Sequence, residues 1–168
     1  MNLKMIINYL IIEIKDNEII LYAVATNPHS LVFYNLKKNE KIKTLNNLNL
    51  HINCVGERIM KINNDEVAVA GDKKVYLIDI KDINNYQIIN EINSDYCNYS
   101  ILKLSNKLFL TGDNNGTITQ FKIENKKLFK ESYKNKSHEN NWIYAMTVLN
   151  DMIISGCDGN NEIKIWKK

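Results

Sequence analysis

ILKLSNKLFLTGDNNGTITQFKI, residues 101–123, decides how the rest of the chain is read. Ile101-Leu102-Lys103-Leu104 is a short apolar run that breaks at Ser105-Asn106. Leu108 to Thr111 follows, then the turn-forming cluster Gly112-Asp113-Asn114-Asn115-Gly116, then Thr117 to Ile123. Short β-rich runs divided by Asn, Asp and Gly fit antiparallel strands joined by tight turns. Apolar residues do not recur at helical spacing over any long stretch, so helices are not expected.

Outward from this stretch the same phrase returns three times. AMTVLNDMIISGCDGNNEIKIW (145–166) is the closest copy, IMKINNDEVAVAGDKKVYLIDI (59–80) the next, and IIEIKDNEIILYAVATNPHSLVFYNL (11–36) the loosest. A large residue near the end of the third strand sets the register: Tyr34, Ile78, Phe121 and Trp166, spaced by 44, 43 and 45. Intervals this even over four copies mark a structural repeat. Within each unit the inner runs are apolar on both sides, as in Ile19-Ile20-Leu21, Ala68-Val69-Ala70 and Ile153-Ile154. The fourth run is poorer and more charged: Lys41–Leu45, Tyr86–Ile92, Lys127–Tyr133. A strand covered on both faces can be apolar throughout, whereas a rim strand can carry Lys and Asn. One such unit cannot bury its own faces, so the units must stack.

A four-stranded repeat of this length resembles the blade of a WD-repeat β-propeller. The last unit is the most similar. Ser137-His138 stands where the family has Gly-His, and Trp142 to Val148 matches its first strand. Ser155-Gly156-Cys157-Asp158-Gly159 matches the second strand and its turn, and Ile163-Lys164-Ile165-Trp166 the third, with Lys167 in place of the family's Asp. Thr111 to Thr117 fits the same pattern in the third unit. The resemblance runs over nearly the whole chain. It implies an all-β propeller domain over 1–168, with about four four-stranded blades near 9–50, 51–93, 94–137 and 138–168.

The fourth unit stops after its third strand, and Leu3 to Ile7 precedes the first unit without a blade of its own. Propellers of this family commonly close by lending an N-terminal strand to the last blade, so Leu3–Ile7 is expected beside Glu162–Trp166. Three completions stay open: four blades close alone, two chains form an eight-bladed homo-oligomer, or the chain is part of a larger ring.

The resemblance also implies a structural hydrogen-bond network of His138, Ser155, Asp158 and Trp166, in which buried polar groups satisfy one another. A Ser-His-Asp set invites a catalytic reading, but each member already has a place in the blade. Corresponding sets elsewhere are incomplete: Thr111 with Ser94 and Phe121 in the third unit, His51 with Ala70 in the second. Tyr96, Tyr99, Trp142 and Tyr144 lie in segments that in propellers open onto one face, where aromatics anchor partner peptides. One or two of them could instead be core residues.

Composition narrows the function classes. The 168 residues are 45% hydrophobic and 24% charged, with net charge +3, which fits a globular domain without a strongly basic nucleic-acid footprint. No run of 18 apolar residues exists, so no transmembrane helix and no membrane partner are expected. The N-terminal apolar run from Met5 is followed by acidic and basic residues too early for a signal cleavage region, so a cytoplasmic or nuclear location with reduced thiols is expected. Cys54, Cys97 and Cys157 are far apart without a CxxC pair, and His29, His51 and His138 fall on different repeats. Neither a disulfide framework, a metal site nor a cofactor is therefore expected. Gly112 to Gly116 is not followed by a helix or by Gly-Lys-Ser/Thr, so it reads as a hairpin turn rather than a phosphate loop. The 27 Asn residues, beside 21 Lys and the single Arg58, read as the bias of an AT-rich genome. At that Asn content the Asn-x-Ser/Thr triplets at Asn98, Asn115 and Asn135 are expected by chance.

The function implied is a non-enzymatic protein–protein interaction scaffold. The competing reading is a propeller subunit of a ribonucleoprotein or nucleic-acid-associated complex, using Lys126, Lys127, Lys130, Lys134 and Lys136 as a basic surface. Glu124, Glu131 and Glu139 interleave with them and weaken that field.

Overall fold

The computed structural model of the chain describes residues 7–15, 17–26, 29–46, 58–82, 85–134, 137–159 and 161–167. Every regular element among them is a strand. The order is β1 (Ile7–Lys15), β2 (Glu18–Thr26), β3 (His29–Asn35), β4 (Glu40–Leu45), β5 (Ile59–Lys61), β6 (Glu66–Ala70) and β7 (Asp72–Asp79). β8 (Gln87–Ser105), β9 (Leu108–Asp113), β10 (Ile118–Glu124), β11 (Lys127–Lys134), β12 (Ile143–Leu149), β13 (Met152–Cys157) and β14 (Ile163–Lys167) follow. All pairings are antiparallel between neighbours in sequence, in sheets β1-β2-β3-β4, β5 through β11, and β12-β13-β14.

The middle sheet is continuous because β8 is shared. Its first part pairs with β7, from Asp79↔Gln87 to Asp72↔Cys97, and its second with β9, from Asn98↔Asp113 to Ser105↔Leu108. The sequence reading divides this segment into two strands, Tyr86–Ile92 and Ile101–Leu104; the backbone instead stays extended between them. Residues 93–98 contain no Gly or Pro, and local polar groups hold the extended chain. Ser94 Oγ donates to Asn98 Oδ1 at 3.3 Å, Asn98 Nδ2 to the Gly71 carbonyl at 2.9 Å, and the Cys97 N–H to Asn114 Oδ1 at 3.2 Å.

The repeat seen in the sequence carries a repeated local geometry. The register between third and fourth strands slips by a bulge immediately before Tyr34, Ile78 and Phe121, the residues that set the sequence register. A bulge increases local twist and re-aims the strand that follows. Its recurrence puts the same bend into each of these strand pairs.

Three apolar clusters lie between successive groups of strands. Ile20, Tyr22, Leu31 and Phe33 from β2 and β3 pack on Val67, Val69, Tyr76, Ile78 and Tyr86, with the Phe33 and Tyr86 rings 4.3 Å apart. Ala68, Ala70, Val75 and Leu77 point the other way, onto Phe109 and Phe121. β6 is thus buried at all five positions because alternate residues serve two cores. Leu110 and Ile118 meet Met146, Ile153 and Trp166 of the last sheet. The opposite face of that sheet is apolar and open: Ile163 is 73% exposed, Ile165 62% and Leu149 54%.

Asparagine has a structural use here beyond genome bias. Asn17, Asn39, Asn125, Asn140, Asn150 and Asn161 all have positive φ, at turns between strands or just before them. Asn tolerates this left-handed conformation better than other side-chain-bearing residues.

Candidate functional site

The seam between β8–β9 and β12–β13 gathers most of the residues singled out in the sequence. Its backbone is tied down first. Ser100 Oγ donates to the Ile143 carbonyl at 2.8 Å. The Gly116 carbonyl accepts from Ser137 Oγ at 2.5 Å and from the His138 N–H at 3.1 Å. Gly116 has φ 73°, and a Cβ there would lie 2.9 Å from the His138 carbonyl carbon, so both conformation and space call for glycine. Gly112 is closed in differently: a Cβ would meet Ile143 Cγ2 and Ser100 Oγ, each at 2.6 Å.

Gly112 and Asp113 end β9, and residues 114–117 connect it to β10. Asp113 Oδ1 accepts from the N–H groups of Asn115 and Thr117, both at 2.9 Å. Asp113 is 2% exposed, and burial pushes its carboxyl up to about 6 despite those two N–H groups. The carboxylate is spent on holding its own hairpin turn.

His138 is fully buried and lies on the Trp166 side of the last sheet. Its Nε2 is 2.7 Å from Ser155 Oγ, which also accepts from Trp166 Nε1–H at 2.8 Å. Asp158 is placed elsewhere. It is exposed, and its Oδ1 accepts from the Trp142 backbone N–H at 3.1 Å. The carboxylate facing the imidazole is Glu162, whose Oε2 is 3.5 Å from Nδ1. At that distance the contact is an approach of charge rather than a hydrogen bond, and the buried Nδ1 has no hydrogen-bond partner among the described residues. Burial, with the Lys164 charge adding to it, lowers the imidazole pKa against the smaller opposing pull of Glu162. Glu162 went unnoticed in the sequence because it stands just before β14, 24 positions after His138, with no spacing that ties the two together. In the third unit Thr111 Oγ1 is buried without a hydrogen-bond partner among the described residues, and Phe121 stacks on Phe109 at 5.4 Å. His51 lies outside the described residues.

Of the four aromatics, three form one cluster. Tyr99 is 4.9 Å from Trp142 and 5.4 Å from Tyr144, centroid to centroid, and Trp142 is 6.0 Å from Tyr144. Tyr99 is the buried floor, 3% exposed, with the Arg58 guanidinium 5.2 Å from its ring centroid. Trp142 is 38% exposed and Tyr144 half-buried. Tyr96 is exposed and belongs to the same β8 strand.

The Lys-rich segment is less basic than its sequence. Lys126 Nζ is 2.8 Å from Asp79 Oδ2 and Lys130 Nζ 2.6 Å from Asp95 Oδ2. Lys134 and Lys136 carry no described side chain. No helix among the described residues is long and apolar enough to cross a membrane.

Neither a protein-family model nor a curated protein matches the sequence. Among solved structures, the chain is similar to one in Chaetomium thermophilum Polycomb Repressive Complex 2 bound to GSK126, at TM-score 0.73 and 12% identity. The match covers 94% of this chain and 38% of that one, so this chain spans about two fifths of the neighbour's length. At this identity the likeness is one of fold.

Proposed function

We propose that the chain is a non-enzymatic protein-interaction scaffold built from WD-type propeller blades, near 9–50, 51–93, 94–137 and 138–168. The observation that carries this reading is the Tyr99–Trp142–Tyr144 cluster. An exposed indole standing on a buried, cation-backed aromatic floor is preorganised for a partner side chain, so little ordering entropy opposes binding. Membership of the neighbouring chain in a multi-subunit complex fits a role among protein partners. The His138–Ser155–Trp166 network is read as blade support, not catalysis, since His138 and Ser155 are fully buried and Ser155 Oγ is already engaged by Trp166 Nε1–H. A cytoplasmic or nuclear location belongs to the same proposal.

Ring closure is part of this reading. The outer edge of β14 pairs with no described strand, residues 3–6 of the proposed closing strand lie outside the described residues, and Ile7 pairs with Ala25 in the first sheet. The open Ile163–Ile165 face is where a further blade, from a second copy or a larger assembly, would stack.

The ribonucleoprotein alternative is not favoured, because Lys126 and Lys130 are paired with carboxylates. Comparative capture from native extract tests the choice. Trp142→Ala is expected to lose the partner, while the double reversal Lys127→Glu/Lys130→Glu keeps it. The opposite pattern, with binding falling steeply as salt rises, refutes the scaffold reading in favour of the basic surface.

A further inference from the structure

We propose that His138, Cys157 and Glu162 form a binding site for a divalent transition-metal ion of the zinc class. One ligand atom from each of the three residues lies within 4.8 Å of the others. They come from two elements: the segment leading into β12, and the two sides of the β13–β14 hairpin. The Cys157 N–H donates to the Glu162 carbonyl at 3.2 Å, which fixes thiol and carboxylate opposite each other. The register from Gly156↔Ile163 and Ser155↔Lys164 puts both on the face that carries Ser155 and Trp166, where His138 packs.

The donor set and its support fit such an ion. His138 Nε2 is engaged with Ser155 Oγ, so Nδ1 is the free nitrogen, and it is buried without a hydrogen-bond partner among the described residues. Ser155 Oγ accepts from Trp166 Nε1–H and has a second lone pair for Nε2–H, so the network accommodates the tautomer that a metal on Nδ1 requires. The 3.5 Å separation of Nδ1 and Glu162 Oε2 is close to the edge of about 3.3 Å that tetrahedral zinc requires with bonds of about 2.0 Å. Nitrogen, thiolate and carboxylate together select zinc, or cobalt as its probe, over magnesium or calcium. Cys157 and Glu162 are half-buried, so solvent can supply the fourth ligand. On binding, Zn²⁺ gives up water, the Cys157 thiol releases its proton to buffer, and no electron is transferred.

One group opposes the ion. Lys164 Nζ is 3.0 Å from Glu162 Oε2 and must leave when a dication takes that oxygen. This competition gives the proposal a variant whose effect runs opposite to those of the ligands.

The test is titration of the full chain with Co²⁺ and then Zn²⁺, following the thiolate-to-cobalt charge-transfer absorption and heat. The expected result is one ion per chain with that band present. Cys157→Ser should remove the band, and Glu162→Gln should weaken binding by about tenfold or more. Lys164→Met should tighten it several-fold. Cys157 and Glu162 are partly exposed, so these variants stay folded, checked by circular dichroism. Absence of the band in the natural chain overturns the site, as does a band unchanged in Cys157→Ser, which would place it on Cys54 or Cys97. Weaker binding in Lys164→Met also overturns it.

Discussion

Replacing Asp113 by Asn should change how stability depends on pH, with a sign fixed by burial. The folded carboxyl titrates at about 6 against 3.8 for the free side chain. Ionised Asp113 is therefore disfavoured by the fold, and its contribution is fully present below about pH 3.8 and lost as pH rises through 6. The shift of about 2.2 pH units corresponds to roughly 3 kcal/mol, at about 1.36 kcal/mol per unit. Asn keeps an Oδ1 that can accept from the Asn115 and Thr117 N–H groups, and it brings no charge to desolvate. Urea unfolding of both proteins at pH 4, 5, 6 and 7 gives the difference directly, and every other titrating group cancels. Asp113→Asn should gain on the natural chain by up to about 3 kcal/mol as pH rises from 4 to 7. A flat difference, or one of opposite slope, would mean that the carboxyl is hydrated in solution and the buried-turn argument is wrong.

Further outcomes follow from the seam and the last sheet. Ser155→Ala removes the hydroxyl shared by His138 and Trp166 and should cost about 1–3 kcal/mol in chemical denaturation. Trp166→Ala should cost about 3 kcal/mol, near the low end for aromatic truncations because β14 is half open, and the double variant should fall short of the sum. Gly112→Ala forces a methyl against Ile143 and Ser100 and should lower stability by about 1–3 kcal/mol; an unchanged melting temperature would mean that the seam is looser than its contacts indicate. Ile165→Thr should alter the stability of an isolated chain by less than about 0.5 kcal/mol, since the side chain is exposed. A larger loss, or a drop in mass by light scattering, would show that a partner sheet covers that face.

Much of the fold is written in local sequence. Alternating apolar runs, Asn-rich turns and the 43–45 residue interval are short-range signals, and strand and turn preferences need only neighbouring residues. The residues that set the interval, Tyr34, Ile78 and Phe121, mark the bulges because a re-aimed strand needs the same side chain at the same place in each copy. His138, Ser155 and Trp166 stood out only through the resemblance to a WD blade, which implies that their polar atoms satisfy one another. What the sequence could not decide were relations across the seam. Asp158 is taken up by the Trp142 N–H, and Glu162, not Asp158, arrives at the imidazole. The floor role of Tyr99 depends on Arg58, 41 positions earlier, and the quenching of Lys126 depends on Asp79, 47 positions earlier. The grouping of His138, Cys157 and Glu162 carries no ligand spacing because it joins two segments through a sheet register. Distances of that kind arise only when separate strands pack, and no local preference encodes them.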